Sequence, residues 1–139
     1  MAILLIYAVT FTACGKRDKD SGIKEVDIYN VVKEVFLTDK GYTDELSKHV
    51  SKDVFEGTNI YGIYDVNSID YTRPFDVEFS LKEDSQNKKK DIIYVKMTYS
   101  VIIRDSHNKT VGGSSEIPIT FTVKKTGSDW YIVEKYEAP

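Results

Sequence analysis

Between Asp91 and Asp105 the chain reads DIIYVKMTYSVIIRD, and Ile93, Val95, Met97, Tyr99, Val101 and Ile103 at its odd positions are all apolar or aromatic. The even positions between them include Lys96, Thr98, Ser100 and Arg104. Side chains alternate faces along a strand, so this run predicts one long strand with a single dry face, the expected centre of an antiparallel sheet. A second run of period two puts Ile69, Tyr71, Phe75, Val77, Phe79 and Leu81 on one face, with Asp70, Asp76, Glu78, Ser80 and Lys82 opposite. Arg73 interrupts that dry face, and Pro74, which cannot donate to a ladder, marks an edge or a bulge. A third run sets Ile117, Ile119, Phe121 and Val123 against Glu116, Pro118, Thr120, Thr122 and Lys124, and opens through Gly112-Gly113. The last, Asp129 to Tyr136, sets Trp130 and Ile132 against Tyr131 and Val133, so both of its faces are apolar. The connections read as a polar hairpin loop at 83–90, a turn at Ser106–Lys109 and a tight turn at Thr126-Gly127-Ser128.

Upstream the period is helical. Ile28, Val31, Val32, Val35 and Phe36 fall at i, i+3, i+4, i+7 and i+8, the stripe of an amphipathic helix over residues 25–38, with Gly41 as its stop. Thr43 reads as the N-cap of a shorter helix with Asp44 and Glu45 in its first turn and Leu46 and Val50 on its buried side. Ser51 caps a further turn that carries Val54 and Phe55 and ends at Gly57. Thr58 to Val66 follows neither period and is expected to be irregular, with room for a short strand. Helices first, then four strands joined by short turns, predict an α+β fold: N-terminal helices packed on a curved four-stranded antiparallel meander.

Residues 1–13, MAILLIYAVTFTA, carry no charge. The run is short of the roughly 20 residues a membrane span needs and fits the apolar region of a secretory signal peptide. It ends Phe11-Thr12-Ala13-Cys14-Gly15, which resembles a bacterial lipobox, although Phe11 stands where that pattern usually has Leu and no Lys or Arg precedes the run. The resemblance implies cleavage after Ala13, lipid attachment at Cys14 and an extracytoplasmic protein whose first partner is the cell membrane. The bland reading is a cytosolic chain with an apolar N-terminal element and a chance cysteine. Residues 14–24 switch abruptly to charge and glycine, the composition of a tether. Its ten residues after Cys14 could reach about 33 Å, with Lys16 and Arg17 nearest the headgroups.

Residues 25–139 then form the single domain. With its amphipathic helix at 25–38, long strands at 69–82, 91–105 and 114–125, and closing GSDWYIVEKYE, it resembles the cystatin-like roll of the nuclear transport factor 2-like superfamily, as found in small bacterial lipoproteins. The resemblance implies a sheet curled around the helices into a cone, often with a pocket. Members include isomerases, dehydratases, transport and assembly domains, and many without activity, so the fold does not give the function.

Composition narrows the chemistry. The net charge of −3 argues against nucleic acid as a partner. One cysteine excludes an intramolecular disulfide and a Cys-rich zinc site. His49 and His107, the only histidines, stand apart from any metal-ligand spacing, and no phosphate- or dinucleotide-binding motif occurs, so no metal or cofactor is expected. Enzymes of the resembled superfamily place an acid, a histidine or a tyrosine in the cone, and an aspartate base with a tyrosine donor is the relevant arrangement. Here Tyr71 and Tyr99 lie on the dry faces, but Asp70, Asp76 and Glu78 fall opposite, which argues against catalysis. Tyr61, Tyr64 and Tyr71 crowd the irregular stretch, where they either contact a ligand or protein or staple the loop to the sheet. Tyr61, Tyr64, Tyr71 and Tyr99 are therefore the candidate contact residues. Lys88-Lys89-Lys90 is either a solvated hairpin or a contact for an anionic envelope polymer. Two functions stand: a membrane-tethered, non-catalytic binding or assembly module with an envelope protein or small ligand as partner, and a carrier or enzyme of the ketosteroid isomerase or dehydratase type.

Overall fold

A computed structural model of the chain describes residues 24–139. Cys14, Lys16 and Arg17 lie outside the described residues. Among the described residues four short helices, α1 (Tyr29–Leu37), α2 (Asp44–Ser47), α3 (Lys52–Glu56) and α4 (Ile60–Ile63), precede four strands, β1 (Asp76–Lys89), β2 (Ile92–Arg104), β3 (Thr110–Thr126) and β4 (Asp129–Tyr136). The strands form one open antiparallel sheet in sequence order. The architecture is α+β, as the order of periodicities predicts.

The dry face of β2 is where the alternation placed it. Ile93, Val95, Met97, Tyr99, Val101 and Ile103 are all buried, as are Ile119, Phe121 and Val123 of β3 and Ile132 of β4. Ile28, Val32, Val35 and Phe36 of the helical stripe join the same core, although α1 itself starts only at Tyr29. The Phe36 ring lies between two sheet aromatics, with centroids 4.7 Å from Tyr99 and 5.1 Å from Phe79. Thr43 and Ser51 cap α2 and α3 by accepting from the Leu46 and Val54 amides at 3.2 and 3.3 Å.

Three stretches depart from the periodic reading. Residues 69–75 are not strand. Ile69 is fully exposed, and the segment is held by Asp105, a buried carboxylate that accepts from the Thr72, His107 and Lys109 amides at 3.1, 2.9 and 2.9 Å. Burial pushes the Asp105 carboxyl up, but these N–H donors outweigh it and hold the group below its ordinary value. Residues 83–89 are not a loop: β1 continues to Lys89, and Lys90 (φ 58°) with Asp91 forms a two-residue turn, since Lys89 pairs with Ile92. Thr58–Val66 contains no strand but the short helix α4. Buried Asn59 caps it through the Tyr61 amide at 3.1 Å and donates to the Val35 and Thr38 carbonyls at 2.9 and 2.8 Å, tying α4 to the end of α1.

The register slips at three places that matter for the inner face. One extra residue, Asp84, sits between the pairs Glu83–Met97 and Ser85–Lys96. Ser100 faces the two residues Ser115 and Glu116, and Glu116 takes φ 50° with its N–H donated to the Ser100 hydroxyl at 2.8 Å. Val133 is extra between Thr122–Glu134 and Val123–Ile132. A bulge inverts the parity of everything beyond it. Gln86, Ser114 and Lys135 therefore stand opposite buried Val95, Val101 and Phe121. Gln86 uses this position as a clamp. It accepts from the Glu25 and Val26 amides at 2.8 and 3.2 Å and donates to the Val26 carbonyl at 2.7 Å, fixing where the chain enters the domain.

The buried face of β2 gives a direct test. Val101 is 1% exposed, so Val101→Asp strands a charge in the core and costs several kcal/mol against a typical total of about 5–15. Lys96 is exposed on the other face, and Lys96→Glu should shift stability by no more than about 0.5 kcal/mol. Chemical denaturation of the two variants should show loss of the cooperative transition for the first only; equal damage would mean that both faces of β2 are buried.

Candidate functional site

Two of the four candidate tyrosines converge. Tyr64 closes α4, its N–H donated to the Ile60 carbonyl at 3.1 Å, and its ring lies over Gly112 of β3. A Cβ at Gly112 would stand 2.6 Å from the Tyr64 ring, and one at Gly113 would stand 2.7 Å from the Val101 carbonyl oxygen. The glycine doublet thus lies inside β3 instead of opening it, and it is there because two close approaches leave no room for a side chain. The Tyr64 hydroxyl shares a 2.6 Å hydrogen bond with Ser114, which the bulge at Ser115 and Glu116 has turned inward.

Tyr99 is 3% exposed, with its ring against Phe36 and its hydroxyl donating to a Glu137 carboxylate oxygen at 3.3 Å. The other Glu137 oxygen takes Lys135 at 3.2 Å. Lys135 and Glu137 are half-buried because the Val133 bulge puts them on the inner face, and the Lys135 stem runs over Gly57 at the end of α3. Burial, then the negative charge of Glu137, then Tyr64 push the Tyr99 phenol well above its ordinary value of 10.0, and the Ser114 hydrogen bond acts weakly the other way. Tyr99 therefore remains a hydrogen-bond donor across the physiological range. The outcome is two polar groups drawn from four elements: Tyr64 with Ser114, and Tyr99 with Glu137 and Lys135.

The other two candidates are elsewhere. Tyr61 is half-buried against the core. Tyr71 lies in the segment held by Asp105, with the Lys109 ammonium 5.1 Å from its ring centroid. Tyr64 and Tyr71 thus staple their segment to the sheet end, one through Ser114 and one through Lys109. Asp76 and Glu78 point outward as the alternation placed them, Glu78 pairing with Arg104 at 3.0 Å, and Asp70 is exposed in the loop. Periodic reading missed Ser114, Lys135 and Glu137, because each lies beyond a bulge. The one signal was Gly112-Gly113, a mark of close backbone approach. The His49 ring lies tilted against Trp130 with ring centroids 4.8 Å apart, and His107 is exposed in a turn. Among the described residues no group of three or more His, Cys, Asp or Glu could hold a metal ion. The chain matches no family model and no curated protein.

A phenol raised in the folded state keeps a proton that the unfolded chain gives up from about pH 10 upward. Its contribution to stability is complete below that pH and is lost as the pH climbs further. Tyr99→Phe should cost about 1 kcal/mol at pH 7 through the lost hydrogen bond. Above pH 10 it should lose stability less steeply than the wild type. Parallel slopes in alkaline denaturation would show that the Tyr99 phenol is not perturbed.

Proposed function

We propose that this chain is an extracytoplasmic lipoprotein, anchored to the cell membrane through lipid on Cys14, whose domain is a non-catalytic binding or assembly module of the nuclear transport factor 2-like type. The observation that carries the non-catalytic reading is the filled interior. Phe36, Met97, Ile119 and Phe121 are all 0–1% exposed, so side chains fill the space beneath the sheet, while Asp76 and Glu78 face water. A sheet curled into a cone around α1 is in keeping with Phe36 touching residues of both β1 and β2. For the anchor, the support is the lipobox-like Thr12-Ala13-Cys14-Gly15 after an apolar run. Among the described residues no helix is long and apolar enough to cross a membrane.

The clamp on Glu25 and Val26 adds an orientation. The tether meets the domain beside the β1–β2 hairpin, where Lys88, Lys89 and Lys90 are exposed and Lys125 donates to the Glu25 carbonyl at 3.1 Å. An anchored domain would present this lysine-bearing end to the anionic headgroups, which attract such side chains. One observation favours the second reading, a carrier or enzyme: Glu137 supplies beside Tyr99 the acid that β1 does not. In that reading Tyr99 is the oxyanion donor and Glu137 the base.

The anchor is tested on the chain expressed in a bacterium that lipidates such proteins. Wild type should partition into detergent, and mass spectrometry should find an N-terminal peptide beginning at Cys14 and heavier by its acyl chains. Cys14→Ser should abolish that peptide. An unmodified Cys14, or a wild-type N-terminus other than residue 14, would sink the lipoprotein reading.

A further inference from the structure

Away from the tyrosine cluster, a cleft of about 560 Å³ lies between the β3–β4 turn and the end of α2. That volume is within the roughly 300–1,000 Å³ usual for small-ligand sites. Lys48, Lys124, Thr126, Asp129, Trp130 and Tyr131 are among the residues that form its walls. We propose that this cleft binds an anionic saccharide, a sugar ring that carries a phosphate or carboxylate group.

Three observations support that ligand class. The first is charge. Lys124 has no ion-pair partner among the described residues, and Lys48 has only the exposed carboxylate of Glu45 at 2.7 Å. Such surface pairs contribute little, so an anion can compete for Lys48. Against the two lysines the cleft wall sets one acid, Asp129, leaving a cationic balance. The second is the mixture of an indole, a phenol and two hydroxyls, with no Leu, Ile, Val or Met in the lining. Aromatic faces take the C–H surface of a sugar ring, while Thr126, Ser128 and Asp129 can exchange hydrogen bonds with its hydroxyls.

The third is rigidity. The β3–β4 turn is two residues long, Gly127 (φ 61°) and Ser128, closed by the Thr126–Asp129 pair. On the other side the Ile132 amide donates to the His49 carbonyl at 2.8 Å, and the Ser51 amide donates to the Ile132 carbonyl at 3.0 Å. This parallel bridge between Val50 and Ile132 locks the end of α2 to β4. The Tyr42 hydroxyl adds a bond to the Val50 carbonyl at 2.6 Å, and the His49 ring rests against Trp130. The walls are held in place before a ligand arrives, which lowers the entropic cost of binding. The site depends neither on lipid at Cys14 nor on the Tyr99 cluster.

Trp130 is the only tryptophan in the chain, so its fluorescence reports on this cleft alone. The full chain, purified in detergent, is titrated at fixed ionic strength with glucose 6-phosphate, glucuronate, glucose and inorganic phosphate. A saturable change in Trp130 emission is expected with at least one of the two anionic sugars, and which of them responds identifies the acidic group. Glucose and inorganic phosphate should each bind at least about tenfold more weakly, since each offers half of the recognised chemistry. Lys124→Gln should weaken the anionic sugar by about tenfold, the change expected for losing one charge-assisted hydrogen bond. Lys96→Gln, which removes an exposed lysine elsewhere on the sheet, should leave it unchanged. The proposal is overturned if neither anionic sugar produces a saturable change, or if glucose or inorganic phosphate binds as tightly. It is equally overturned if Lys124→Gln has no effect or Lys96→Gln has the same effect.

Discussion

Six side chains of β2, from Ile93 to Ile103, leave water on the same side of one strand, and they form the middle of the buried core. A strand with one dry face cannot stand alone; it needs neighbours that continue the face laterally and a layer above it. β1 and β3 supply the first and buried Phe36, Val32 and Val35 of α1 the second. The helices among the described residues are too short to be stable by themselves, the longest being nine residues, so they owe their existence to burial rather than to propensity.

Alternation would make such a sheet purely apolar inside and polar outside. Four of its polar inner positions, Gln86, Ser114, Lys135 and Glu137, exist because β1, β3 and β4 carry extra residues opposite a neighbour. Each bulge inverts parity for the remainder of its strand, and each inversion has a use. Beyond Asp84 it aims Gln86 at the backbone of Val26. At Ser115 and Glu116 it leaves Ser114 inward to meet Tyr64, and at Val133 it brings Lys135 and Glu137 to Tyr99. Polar groups turned toward a core must be paired, and these are: Gln86, Ser114, Lys135 and Glu137 all have partners at 3.3 Å or closer.

Two buried polar side chains handle the parts the sheet does not reach. Asn59 satisfies two terminal carbonyls of α1 while capping α4, and Asp105 gathers three amides from two loops. Both replace regular secondary structure with side-chain hydrogen bonds, which is how irregular segments such as 64–75 remain attached to a domain. The cleft at Trp130 is held differently, by backbone hydrogen bonds of the parallel bridge between Val50 and Ile132.

The sequence by itself determined the α+β order, the dry face of β2, the caps at Thr43 and Ser51 and the tight turn at Gly127, because each follows from local periodicity or from one residue's backbone chemistry. It also placed Asp76 and Glu78 outside, since no bulge separates them from the paired part of β1. Only the tertiary structure decided that 83–89 is strand, since the polar run EDSQNKK offers no hydrophobic alternation and its pairing with β2 comes from the neighbour. Likewise Tyr64 reaches Ser114 and Tyr99 reaches Glu137, because partners distant in sequence select them. Ser114, Lys135 and Glu137 were illegible for one physical reason. A bulge changes which face a residue occupies without changing its identity, and its position is set by the opposing strand's register and not by any local pattern.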